Sequence, residues 1–237
     1  EKLWVTNGAA ADLVFTFART DTPEDRRHTR GIGAFVIPQG TEGFRPGKKE
    51  RKMGQRGSET VAVVLDDVRL GEEHLIGEPY RGFSYALQAL EGGRLGIAAQ
   101  ALGIAWAALE EAFEYAGERE QFGRPLREFQ GVEFKLADMV TRLEAARGLM
   151  ERAATAYMVG DPRSRRLSSV AKLFASEAAM QVAREAVQIH GGYGYSREYP
   201  VERWFRDAKV TEIYEGANEI HRGIITRQLY RERGDET

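Results

Sequence analysis

The rhythm of apolar and polar residues changes near residue 80. Before it, the runs DLVFTFAR (12–19), GIGAFVIP (31–38) and TVAVVLDDV (60–68) are rich in β-branched and aromatic residues and are separated by punctuation, which predicts three strands. Trp4 lies in a further strand-like stretch, LWVTN. TDTPEDRRHTRG (20–31) reads as a charged loop and PQGTEGFRPG (38–47) as turn residues. From Gly82 onward the period becomes helical. Ala98, Leu102, Ala105, Leu109, Ala112 and Ala116 share one face. A second helix is predicted from Phe129 to Met158, with Val132, Leu136, Met139, Leu143, Ala146 and Met150 on one side, and GDP (160–162) breaks it. A third runs from Ser164 to His190 and carries Leu173, Phe174, Val182 and Ile189. Pro200 opens a short helix, and a last one spans Asn218 to Arg231. Long helices with short connections predict an antiparallel bundle.

This pattern divides the chain into residues 1–78, part of a sheet domain, and residues 79–237, a helical bundle domain, so the fold is mainly α. Three strands are too few for a sheet domain of ordinary size. The chain opens on EKLWVTNGAA, without methionine and within a strand, so further strands are expected ahead of Glu1.

Composition narrows the chemistry. The hydrophobic and charged fractions, 42% and 30%, are those of a water-soluble globular fold. A net charge of −2 argues against a dedicated nucleic-acid binder. With no cysteine, disulfides, thiolate metal sites and cysteine nucleophiles are excluded. No apolar run approaches the length of a membrane span, and no targeting peptide is recognisable. The four histidines, His28, His74, His190 and His221, have no metal-ligand spacing and read as surface or structural residues.

Several short stretches each carry two readings. QIHGGYGY (188–195) is either a helix stop or a backbone surface bare enough to touch a cofactor. EREQFGRPLREFQ (118–130) is either a helix–loop–helix corner or, through Arg119 and Arg124, an arginine fork for a diphosphate. Trp4 is either a core aromatic or, beside Thr6, a partner for an aromatic ring. In EIYEGANEIHR (212–222), Glu215 is either a solvated charge or a carboxylate that Gly216 allows to approach a ligand closely.

Taken in order, KMGQRGSETVAVVLDDVRL (52–70), GRLGIAAQALGIA (93–105), REQFGRPLREFQ (119–130) and QIHGGYGYSREYPVERWFRDAKVTEIYEGANEI (188–220) resemble the acyl-CoA dehydrogenase family, most closely its short-chain, butyryl-CoA-type branch. The resemblance covers nearly the whole chain. It implies a N-terminal helical domain, a middle β-barrel and a C-terminal four-helix bundle, of which this chain would hold the later part of the barrel and the bundle. It also implies α,β-dehydrogenation of a short- or medium-chain acyl-CoA to a trans-2-enoyl-CoA in fatty-acid or amino-acid catabolism. FAD would be the cofactor and electron-transferring flavoprotein the acceptor. The assembly would be a homotetramer, a dimer of dimers, in a bacterial cytoplasm or a mitochondrial matrix.

By the same resemblance, Glu215 is the base that takes the α proton, and its backbone N–H is a donor to the thioester oxygen. Other branches carry the base just before the arginine matched by Arg94. Here that position is Gly93, so Glu215 has no rival. Glu91, Gly92, Gly93, Arg94 and Gly216 match substrate-contacting positions. Trp4, Val5 and Thr6 match the stretch that packs on the flavin ring, and Arg119 and Gln130 match contacts to its phosphates and adenosine. Gln188, Ile189, His190, Gly191 and Gly192 match a loop that reaches a neighbouring subunit's FAD. Ala217, Asn218 and Glu219 match a further cofactor segment, where the family usually begins with a threonine and Ala217 lacks the hydroxyl. The upstream Gly-Ser flavin loop has no counterpart in these residues. Rival readings are an acyl-CoA oxidase, whose members generally carry further C-terminal sequence, and a non-catalytic oligomerising module. A DNA-associated relative is a third, against which the charge balance argues.

Overall fold

The protein is described by a computed structural model covering residues 1–20 and 31–234. The loop reading over residues 21–30, with His28, lies outside the described residues. The chain forms two compact units, Glu1–Ala89 and Leu90–Thr237.

The first unit is built on antiparallel strands. β1 (Lys2–Thr6), β5 (Thr60–Leu65) and β4 (Phe44–Lys49) form a sheet in the order β1-β5-β4, and β2 (Leu13–Arg19) pairs with β3 (Ile32–Pro38). Alternation holds on β2, where Val14 and Thr16 are buried while Leu13 and Phe15 are exposed. Val14, Ile37, Phe44, Val61 and Val63 make the core. β4 is the strand that the pattern does not predict. FRPGKK carries a proline, a glycine and three charges, and such a segment survives as a strand only at a sheet edge, where β4 lies. Trp4 is not a core aromatic. It sits at a register shift in β1 with φ +59°, and 69% of its surface is exposed.

The second unit contains most of α1 (Gly82–Glu118), then α2 (Gln130–Met158), α3 (Ser164–His190), α4 (Val201–Lys209) and α5 (Asn218–Arg233). Side-chain pairs give the helix directions. Lys135, early in α2, bonds Glu185, late in α3, so these two helices are antiparallel. Arg94 meets Ser169 at the start of α3 and Tyr115 stacks on His190 at its end, so α1 and α3 run parallel. Arg166 at the start of α3 forms a two-pronged bond with Glu232 at the end of α5, so α3 and α5 are antiparallel. The result is an up-down-up-down bundle with α4 as a short insertion. All six α1 positions expected to face inward are buried, as are Leu136, Met139, Leu143 and Ala146 of α2. Much of this core is alanine, whose small side chain lets helix backbones approach closely. Among the described residues no helix is long and apolar enough to cross a membrane.

Between α1 and α2 the chain makes a two-stranded hairpin, β6 (Glu120–Gln121) and β7 (Arg124–Pro125). Phe122 and Gly123 turn it, both with positive φ, as a two-residue hairpin turn of this hand requires. Phe122 is 93% exposed at its tip.

Candidate active site

α4 and α5 both run back along α3, from Tyr199 beside His190 at its end, past Gly216 beside Lys172, to Glu232 beside Arg166 at its start, and an irregular turn joins them. α4 runs into a single 3₁₀ turn, Val210–Glu212, held by a 2.7 Å bond from the Thr211 hydroxyl to the Ala208 carbonyl. Two successive left-handed residues follow, Glu215 at φ +54° and Gly216 at φ +96°, and α5 begins at Asn218. Gly216 takes this conformation freely. Glu215 does so at a cost of about 1–3 kcal/mol, a strain that surrounding structure must hold.

That turn aims the Glu215 carboxyl back into the bundle. Its Oε2 is buried and has no hydrogen-bond partner. A Cβ added at Gly93 on α1 would sit 2.5 Å from this oxygen, so the space that a side chain at residue 93 would fill is taken by the carboxylate. Arg94, the next residue, is buried. Its Nη1 donates to Ser169 Oγ at 3.3 Å and its Nε is unpartnered. Burial raises the Glu215 pKa above the ordinary carboxylate value, and the Arg94 and Lys172 charges act against that rise. The neighbouring Tyr214 donates its hydroxyl to Gln100 Oε1, and burial pushes its pKa up to about 12, so it stays a neutral donor. The site thus holds a desolvated carboxylate with a free oxygen, which is suited to accept a proton from a weakly acidic carbon. Glu91, one turn earlier on α1, accepts a bond from the Ser164 hydroxyl.

Beneath the turn lies a buried polar clasp. Lys172 Nζ donates to the Gly216 carbonyl at 2.8 Å and to Asn218 Oδ1 at 2.9 Å. Asn218 Nδ2 donates to Ser176 Oγ at 3.0 Å, and that hydroxyl donates to the Leu173 carbonyl at 3.1 Å. His221 Nε2 donates to the Glu215 carbonyl at 3.2 Å. Burial, then Lys172 and Arg94, push the His221 pKa from 6.5 down to about 4, so the ring is neutral at neutral pH. The unfolded chain therefore binds a proton below pH 6.5 that the folded chain refuses until about pH 4, and stability falls as pH drops through that window. Glutamine at this position can keep the donor without titrating. His221→Gln is expected to flatten the acid limb of a Tm-against-pH curve, and a limb of unchanged steepness would contradict this.

At the other end of the bundle is a cleft of about 590 Å³ lined by Arg119, Gln121, Ile189, His190, Gly191 and Gly192, among others. No atom lies within 4 Å of where a Cβ would sit on Gly191 or Gly192, so that backbone is open to a ligand. Arg119 lies 5.7 Å over the Tyr193 ring and is otherwise exposed. An exposed guanidinium beside bare backbone and aromatic rings fits an anionic group joined to a flat ring. Arg124, the other arginine of this corner, stacks on Phe129 at 4.1 Å and is not among the residues lining the cleft. His190 is buried between Tyr115 and Tyr199, and its pKa is lowered by burial.

Residues 1–68 match the family model for the acyl-CoA dehydrogenase middle domain, and residues 80–230 match that for the acyl-CoA dehydrogenase C-terminal domain. The chain belongs to the acyl-CoA dehydrogenase family. An acyl-CoA dehydrogenase of Bacillus subtilis (strain 168) is 54% identical over 228 residues, covering 96% of this chain and 59% of the relative. The solved butyryl-CoA dehydrogenase of Megasphaera elsdenii superposes with a TM-score of 0.93 at 50% identity, covering 97% of this chain and 59% of that one. A chain in the structure described as "Electron transferring flavoprotein of Acidaminococcus fermentans: Towards a mechanism of flavin-based electron bifurcation" has a TM-score of 0.93 at 46% identity, covering 97% and 60%. This chain therefore spans about three-fifths of the length of the relatives it matches.

The acyl-CoA dehydrogenase resemblance points to residues in several places. Glu215, Gly216, Gly93 and Arg94 come together, with Glu91 and Gly92 beside them on α1. Arg119, Ile189, His190, Gly191 and Gly192 line the second cleft. Gln130 at the start of α2 and Gln188 late in α3 are exposed and outside that lining, and Trp4, Val5 and Thr6 lie on β1 in the first unit. Ala217 precedes α5 without a side-chain cap, Asn218 is engaged by the clasp, and Glu219 is exposed. The residues that sequence reasoning missed are Lys172, Ser176 and the part played by His221. Lys172 had a readable signal, because it falls on the inward stripe of α3 among Ser168, Ala171, Ala175 and Ser176. A lysine there requires a buried acceptor.

Proposed function

We propose that this chain is the base-bearing portion of an FAD-dependent acyl-CoA dehydrogenase acting on short- or medium-chain acyl-CoA, with a trans-2-enoyl-CoA as product. One observation carries the reading: the Glu215 carboxylate is held by a strained turn in the space left by Gly93, with its Oε2 buried and free. Carbon next to a thioester is a weak acid, and its deprotonation needs a basic, desolvated carboxylate within reach. Glu215 takes the α proton onto its free oxygen, and its backbone N–H donates to the thioester oxygen, where enolate charge develops. Gly216 is a proposed substrate contact through its backbone, since the space its missing Cβ leaves is taken by His221 Nε2, 3.1 Å away, and Tyr214 helps to exclude water. Arg94, Glu91, Gly92 and Gly93 line the substrate side.

When bound, FAD supplies the acceptor for the β hydride. Trp4, Val5 and Thr6 would pack on its ring system, and Arg119 and Gln130 would contact its phosphates and adenosine. Gln188 to Gly192 would reach the cofactor of a second copy, within an assembly proposed as a homotetramer built as a dimer of dimers, and Ala217, Asn218 and Glu219 would contribute the remaining contacts. Electron-transferring flavoprotein is the proposed acceptor, and the bacterial cytoplasm or the mitochondrial matrix the compartment. The division at residues 78 and 79 is the proposed domain boundary.

The test is exchange of the α hydrogen of butyryl-CoA with deuterated water, followed by mass spectrometry on the protein with added FAD. Deuterium uptake above the buffer rate is expected. Uptake at the buffer rate alone would overturn the assignment of a base.

A further inference from the structure

Lys172 has no role in the chemistry described so far. The chain has seven lysines, all among the described residues, and only this one is buried, with 0% of its surface exposed. A lysine is almost never fully buried unless it is paired. Its donors go to the Gly216 carbonyl and to Asn218 Oδ1, the residues that close the Glu215 turn. His221 holds the preceding carbonyl, that of Glu215. Both carbonyls of the left-handed pair are therefore anchored in one buried clasp, which is the surrounding structure that such a strained turn requires.

We propose that Lys172 is a positioning residue of the proton-abstracting site: its ammonium clamps the Gly216 carbonyl and the Asn218 side chain, holds Glu215 in its left-handed turn, and supplies a buried positive charge beside that carboxyl. The catalytic consequence rests on Glu215 being the base. The charged and titratable groups around the clasp are Arg94 from α1, Glu212 and Glu215 from the connection after α4, and Glu219 and His221 from α5. Burial pushes Lys172 down to about 8, and Glu212, Glu215 and Glu219 resist that fall, so the amine is largely protonated at neutral pH. The coupling is reciprocal, since the Lys172 charge also opposes the effect of burial on Glu215. Asn218 thereby acquires a structural task, as the partner that orients Lys172.

The first arm of the test leaves Lys172 in place. In the full chain with labelled lysine amines, NMR follows the Lys172 Nζ titration in the native protein and in Glu215→Gln. Loss of the carboxylate is expected to lower the Lys172 pKa by about one unit. The second arm compares Lys172→Met with Lys172→Gln, which keeps a neutral donor for the Gly216 carbonyl. The Glu215 carboxyl band, assigned in infrared spectra by its loss in Glu215→Gln, is expected to titrate at higher pH in both. Exchange of the α hydrogen is expected to fall about tenfold in Lys172→Met, within the range that misplacement of a reacting group produces. In Lys172→Gln most of that loss should be recovered once the pH is high enough to ionise Glu215. A Lys172 titration indifferent to Glu215→Gln, or a carboxyl band unmoved in folded Lys172→Gln, would overturn the proposal. If the native chain exchanges no α hydrogen while the Lys172 titration still responds to Glu215→Gln, the clamp stands and the functional reading is what has failed.

Discussion

Glu215→Gln is expected to reduce α-proton removal by at least about 10³-fold, at or beyond the usual reach of general-base catalysis. That loss corresponds to about 4 kcal/mol of transition-state stabilisation. The substitution is nearly isosteric and leaves the backbone turn, the His221 bond to the Glu215 carbonyl and the Lys172 bond to the Gly216 carbonyl in place. It also removes a charge that burial disfavours, so the variant should fold at least as stably as the native chain near neutral pH. Turnover of butyryl-CoA or octanoyl-CoA, measured with an artificial acceptor in the flavin-loaded protein, separates the two effects. The native rate should climb with pH through a value above the ordinary carboxylate range, because the base must be ionised and its folded-state pKa is raised. In the variant that limb should vanish with the activity. Near-normal turnover by Glu215→Gln would remove Glu215 from the mechanism.

The helical unit was legible because its signal is periodic and long. α3 begins and ends where the pattern predicts, at Ser164 and His190, and α2 differs by one residue at its start, within the fraying of any helix end. The sheet was less so. β4 is an edge strand, and an edge needs charge and tolerates proline, so FRPGKK carries the signature of a turn. Trp4 was ambiguous for a different reason. A register shift in β1 rotates it outward, and no local sequence rule reports such a bulge.

At the site, the family motif pointed to the Glu215 carboxylate but not to what holds it. Gly216 signals a turn in any sequence, whereas the left-handed Glu215 before it is imposed by contacts from helices distant in the chain. Lys172 and the Gly216 carbonyl that it holds are 44 residues apart and meet only because α3 and α5 pack together. The reading of His190 and His221 as structural residues fits their burial, yet nothing in their spacing distinguished a ring stacked on tyrosines from one that holds the Glu215 carbonyl. Nor did the sequence show that Phe129 offers Arg124 a ring face within the same short corner.

Gly93→Ala gives the second large effect and the strictest check on the geometry. Two consequences of adding one methyl group have opposite signs. Position 93 is inside α1, where alanine is better than glycine by about 1 kcal/mol, so the helix should gain stability. The added Cβ, however, would lie 2.5 Å from Glu215 Oε2, inside any real contact distance, and the atom that must give way is the end of a flexible side chain, not backbone. The fold can therefore absorb the methyl group by displacing the carboxylate. A displacement of about 1 Å at a reacting group costs about 10²-fold in rate. The expected result is a protein with an unchanged or slightly raised Tm and dehydrogenation slowed about 10²-fold, the loss falling on kcat more than on KM. Gly96→Ala is the control. It adds a methyl group to the same helix at a position where no atom lies within 4 Å, so it should show the gain in stability with native turnover. Equal activity in the two variants would mean that Glu215 does not react from the space beside Gly93.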